Sequence, residues 1–96
     1  MTMHELRRGV LRKQWDATIP EFLPGDYQFD IWLNRFPVHT IEFAIEKLAK
    51  FATARRNAGK PMDSDYMIRY ASACMRNRTV EDRENAERRA RQACRG

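Results

Sequence analysis

Residues 38–57 read VHTIEFAIEKLAKFATARRN, and the spacing of their apolar residues decides the fold. Ile41, Ile45, Leu48 and Ala52 recur at helical intervals, and Ala44 and Phe51 widen the same face. Pro37 stands where a helix can begin, because the N–H it lacks would be unpaired there. Gly59 stands just past the end, where a left-handed residue closes the last turn. The stretch predicts one long amphipathic helix, with the rest of the chain as shorter helices packed on it. The expected fold is all-α: four or five helices in a single domain over residues 1–96.

On the N-terminal side, residues 2–15 open with Thr2 and Glu5 at capping-box spacing. Leu6, Val10 and Leu11, extended by Met3, make the expected apolar stripe, with Arg7, Arg8, Arg12 and Lys13 around it. Gly9 in mid-helix costs about 1 kcal/mol against Ala. That basic surface suits phosphates, but a solvated face is the preferred reading. Residues 16–26 form a connector punctuated by Pro20, Pro24 and Gly25, with Phe22 and Leu23 expected to tuck into the core. Asp26 is the expected N-cap of a helix over 27–36. Phe29, Trp32, Leu33 and Phe36, with Tyr27 and Ile31, make that segment apolar nearly all round, so it is expected to be buried. Trp32 is read as core in preference to a stacking platform.

On the C-terminal side, residues 56–65 are a second connector. Its Gly-Lys lacks the rest of a phosphate loop, and one of Asp63, Ser64 and Asp65 is expected to cap the next helix. A helix over 65–78 presents Met67, Tyr70, Ala71 and Cys74 on one face. Thr79 is the expected N-cap of a further helix over 79–96. There Glu84–Arg88 and Glu87–Arg91 stand at pairing distance along the helix, and Ala86, Ala90, Ala93 and Cys94 are the only apolar side. Such a helix buries little and is expected to protrude or to dock on a partner.

Ninety-six residues, 43% of them hydrophobic and ten aromatic, are enough for one domain with a modest core. The net charge of +5 favours an acidic partner, nucleic acid first among them; the same charge also serves solubility. Residues 17–45 carry Glu21, Asp26, Asp30 and Glu42 against Arg35, a net −3, whereas 46–60 carry Lys47, Lys50, Arg55, Arg56 and Lys60 against Glu46, a net +4. The molecule is therefore expected to be electrically two-sided. Arg55 and Arg56 also complement a helix C-terminus with no ligand involved. Cys74 and Cys94, far apart and both in helical sequence, suit reduced thiols and a cytoplasmic chain. No signal peptide or membrane span is read. His4 and His39 lie on different elements without ligand spacing to a cysteine, and no catalytic motif occurs. No metal, cofactor or enzymatic activity is expected.

Trp32, Phe36, the Ile41-Glu42-Phe43-Ala44-Ile45 run, and Tyr66 and Tyr70 ahead of Met75-Arg76-Asn77 resemble the C-terminal helical module of DnaD-type replication proteins. That family shows a Trp-bearing helix, an I-x-x-A-I helix and a late Tyr before an I-L-x-x-W ending. The similarity covers about residues 27–78, and Arg78 falls near the place of the family's closing Trp. The resemblance implies DNA association and assembly in bacterial or phage replication, as in a bacteriophage accessory protein. The leading expectation is thus a non-enzymatic DNA-associated accessory protein. Its phosphate contacts would be Lys47, Lys50, Arg55, Arg56 and Lys60, helped by Arg69, Arg76 and Arg78. The rival is an adaptor or inhibitor that docks on an acidic protein surface of a host nucleic-acid machine. The sequence leaves monomer and homo-oligomer equally open.

Overall fold

The computed structural model describes residues 1–94, with side chains to Ala93. Four helices make up the described chain: α1 (Met3–Thr18), α2 (Asp26–Arg35), α3 (Val38–Asn57) and α4 (Ser64–Cys94). The fold is all-α, and α3 is its centre.

The sequence signals around α3 act as read. Ile41, Ala44, Ile45, Leu48 and Ala52 are buried, and Pro37 is the N-cap residue. At the other end Gly59 has a φ of 67°. Lys60 N–H donates to the Arg55 carbonyl (2.9 Å) and Gly59 N–H to that of Arg56 (3.1 Å). This is the paired bonding of a Schellman motif, which satisfies carbonyls that the helix end leaves open.

Of the stripe expected on α1, only Leu11 turns inward. Thr2 caps the helix, accepting from Glu5 N–H at 3.2 Å. Met3, Leu6 and Val10, however, are exposed, while Leu11, Trp15 and the following Ile19 are fully buried. Two apolar stripes run along this helix, and the one carrying Trp15 wins because an indole removes far more apolar area from water. The helix also runs to Thr18, three residues beyond the expected end, which places Trp15 a turn inside its C-terminus. The Trp15 ring meets Phe22 and Phe29 edge-on and stacks on Trp32 with centroids 5.9 Å apart. Its Nε1–H donates to the Phe22 carbonyl at 2.6 Å, which anchors the connector. Phe22 packs against the core; Leu23, expected there too, is exposed.

In α2 the N-cap is Gly25, without a side-chain bond. The expected cap, Asp26, is the first helical residue, and its carboxylate turns to Arg12 instead. Phe29 and Trp32 are buried as expected, but Tyr27 is exposed. Tyr27 lies two residues from Phe29, so it projects from the opposite side of the helix. Trp32 Nε1–H donates to Ser72 Oγ at 3.0 Å, tying α2 to α4.

The two helices expected over 65–78 and 79–96 are one. Asp63 caps α4, its Oδ1 accepting from Asp65 N–H at 3.0 Å. Thr79 caps nothing: it lies mid-helix, where its hydroxyl donates to the Met75 carbonyl at 2.9 Å, the ordinary way an interior threonine is satisfied. No Gly or Pro interrupts residues 64–94, and Ala, Arg and Glu dominate the second half, so propensity favours continuation. Met67, Ala71 and Met75 are buried against α3. From Arg83 to Ala93 every side chain is exposed, so the distal turns of α4 stand clear of the body. The antiparallel α3–α4 pair shows in its contacts, which run Phe43 with Arg78, then Phe51 with Tyr70 and Tyr66.

Candidate nucleic-acid interface

The fold disperses the expected basic cluster. Arg55 and Arg56 are adjacent in sequence, so they leave α3 about 100° apart. Arg56 reaches back to the α1–α2 connector. It pairs with Glu21 through Nε and through Nη2 (2.8 Å), and Nη2 also donates to the Thr18 carbonyl (3.1 Å). Arg55 folds over the α3–α4 loop, with Nε and Nη2 donating to the Pro61 carbonyl at 3.1 and 3.0 Å. Its guanidinium lies over the Phe51 and Tyr66 rings. Arg78 lies 4.7 Å above the Phe43 ring, with Asp82 and Glu81 at 3.5 and 3.8 Å. Lys47 Nζ is 5.5 Å from the same ring centroid. Lys47, Lys50, Lys60, Arg69 and Arg76 are exposed, and no carboxylate lies within 4.0 Å of any of them among the described residues. Arg69 and Arg76, seven residues apart, share the outer side of α4 with Arg83.

The acidic half is not free to make the molecule two-sided. Arg12 donates to Asp26 at 2.8 Å, Arg8 to Asp30 at 3.1 and 3.2 Å, and His4 Nε2–H to Asp30 at 2.7 Å. With Glu21 held by Arg56, three of the four acids counted in residues 17–45 face a cation or an imidazole inside the fold. Much of the basic surface of α1 is therefore occupied by α2. His4 and then Arg8 hold the Asp30 carboxyl below its usual range. Arg56 does the same for Glu21.

Between α3 and α4 an open groove of about 440 Å³ is lined by Phe43, Lys47, Cys74, Asn77, Arg78 and Glu81. The half-buried Cys74 is a free thiol, and burial raises its pKa; Cys94, the other expected free thiol, lies outside the described side chains. Phe43 and Asn77 were not among the expected site residues. The one sequence signal for them was the Phe43–Lys47 spacing of four residues, which puts a ring beside a cation on one helix edge. His39 is exposed on α3. Among the described residues no group of three His, Cys, Asp or Glu is placed to hold a metal ion, and no helix is long and apolar enough to cross a membrane. Comparison with protein families, with curated proteins and with solved structures gives no match.

Proposed function

We propose that this chain is a non-enzymatic, DNA-associated accessory protein of the replication type that holds the phosphate backbone through Lys47, Lys50, Lys60, Arg69 and Arg76. One observation carries the reading: these five cations have no carboxylate partner among the described residues, whereas the acids of α2 and its connector are engaged by other cations. The resemblance of residues 27–78 to DnaD-type modules points the same way. Phosphate contacts position a protein without reading bases, so binding is largely independent of sequence. Each contact releases condensed counterion, and log K falls with log salt by about 0.9 per contact on duplex DNA. Five contacts give a slope near −4.5, with affinity on the order of 10⁻⁴ to 10⁻⁶ M at physiological salt.

The test is a salt series on random-sequence DNA. Replacing Lys47 and Lys50 together with Gln should flatten the slope by about 2, while Arg56→Gln, whose charge Glu21 already offsets, should change it less. Absence of binding at low salt would remove this reading.

The fully exposed distal turns of α4 favour a second one, an adaptor or inhibitor docking on an acidic protein surface. Under it, deleting residues 83–96 would abolish partner binding; under the first, the phosphate contacts of the body persist.

A further inference from the structure

The α3–α4 seam alternates cations with aromatic rings. Arg78 and Lys47 flank Phe43. Farther along, Phe51 stacks on Tyr70 at 4.6 Å and on Tyr66 at 5.6 Å, and Arg55 covers Phe51 and Tyr66. From Phe43 to Arg55 the seam is about 18 Å long at 1.5 Å per residue. Duplex DNA hides the faces of its bases in the stack, so it can use the cations of such a seam but not its rings. A single strand uses both, because its unstacked bases lie on aromatic or guanidinium planes while its phosphates meet the flanking charges.

From this juxtaposition we infer that the Phe43–Lys47–Asn77–Arg78 groove is a base-stacking slot and that single-stranded DNA is the form of DNA this protein prefers. The inference rests on the DNA reading and narrows it. The Arg78 guanidinium carbon lies over the phenyl ring, 4.7 Å from its centroid, so ring and guanidinium together are the platform on which a base stacks. Lys47 has no carboxylate within 4.0 Å among the described residues, which leaves its N–H groups for phosphate oxygens; Arg78, faced by Asp82 at 3.5 Å and Glu81 at 3.8 Å, contributes its plane and not its charge. Asn77, exposed at the rim, offers an amide to a base edge. A groove of about 440 Å³ lies within the range of about 300–1,000 Å³ usual for small-ligand sites. Glu81, also in the lining, disfavours a phosphate at its own end. The strand's phosphates therefore run on the Lys47 side, toward Lys50.

Fluorescence anisotropy decides it with three labelled probes of equal phosphate number per strand: an oligothymidine of about 12 nucleotides, its abasic counterpart and a duplex. At one salt concentration the oligothymidine should bind roughly tenfold tighter than either of the others. Arg78→Lys keeps the charge and removes the flat plane. It should cost the oligothymidine about fivefold or more, with the salt slope and the abasic affinity unchanged. Phe43→Leu, which keeps an apolar side chain against the helix pair, should act in the same direction, with its fold checked by circular dichroism. Lys50→Gln, outside the groove, should weaken all three probes alike. Equal affinity for the three probes, or a preference for the oligothymidine that survives Arg78→Lys, overturns the slot while leaving DNA binding in place. Failure to bind any probe at low salt overturns both.

Discussion

The α1–α2 corner and the α3–α4 seam use the same kinds of side chain, arginines and aromatic rings, to opposite ends. At the corner the rings turn inward, with Trp15, Phe29 and Trp32 packed against one another out of solvent. The cations there close over the outside by meeting carboxylates on the neighbouring helix, Arg8 and Arg12 on Asp30 and Asp26. Along the seam the rings of Phe43 and Tyr66 remain at the surface, and cations lie over the rings. The seam guanidiniums have partners on their own helix or loop, Arg78 with Asp82 and Glu81 and Arg55 with the Pro61 carbonyl, whereas Lys47 beside Phe43 has no carboxylate within 4.0 Å among the described residues. A basic residue's type therefore says little about its availability, and the residue that faces it in the fold says most.

Truncation should separate the two regions most sharply. Trp15→Ala removes a fully buried indole that touches three other rings, and such changes cost about 3–5 kcal/mol. Urea denaturation should show that loss, whereas Tyr66→Ala, half exposed on the seam, should shift the midpoint far less. Similar midpoints would mean that the corner is not the packed end of the molecule.

A smaller effect comes from acid. Asp30 and Glu21 have lower pKa values folded than unfolded, because His4 with Arg8, and Arg56, favour their charged forms. Their stabilisation is therefore present above the ordinary values of 3.8 and 4.5 and is lost as the pH falls through and below them. The double variant Asp30→Asn, Glu21→Gln should be less stable than the natural chain at pH 7, and the two denaturation curves should converge near pH 3. A gap that stays constant down to pH 3 would show that carboxylate charge does not hold the corner.

The smallest effect belongs to the end of α4. Ending the chain after Asp82 removes turns whose described side chains are all exposed, so the denaturation midpoint should move by about 0.5 kcal/mol or less. A drop comparable to that of Leu48→Ala, about 2–5 kcal/mol, would mean that the distal turns are packed on something in solution.

Local rules carried much of the architecture. The stripe through Ile41, Ile45, Leu48 and Ala52, the Gly59 closure, the Asp63 cap and the burial of Trp32 all follow from spacing or from one residue's backbone preference, which neighbours along the chain suffice to set. Rules of the same kind misplaced Thr79 and Asp26, because a capping residue only permits a helix start. Continuous helix-forming sequence overrode Thr79, and the opposing Arg12 drew the Asp26 carboxylate away. Periodicity left open which of two apolar stripes α1 buries, since either has helical period; the larger area of the Trp15 indole favours its stripe, and the rings of Phe22, Phe29 and Trp32 around it complete the choice. Tertiary structure alone decided which cations are free. Arg56 finds Glu21 across 35 residues of chain, and Arg78 finds Phe43 across another helix, at separations where no spacing rule applies. Charge acts through space, and sequence records only the order in which charges are strung.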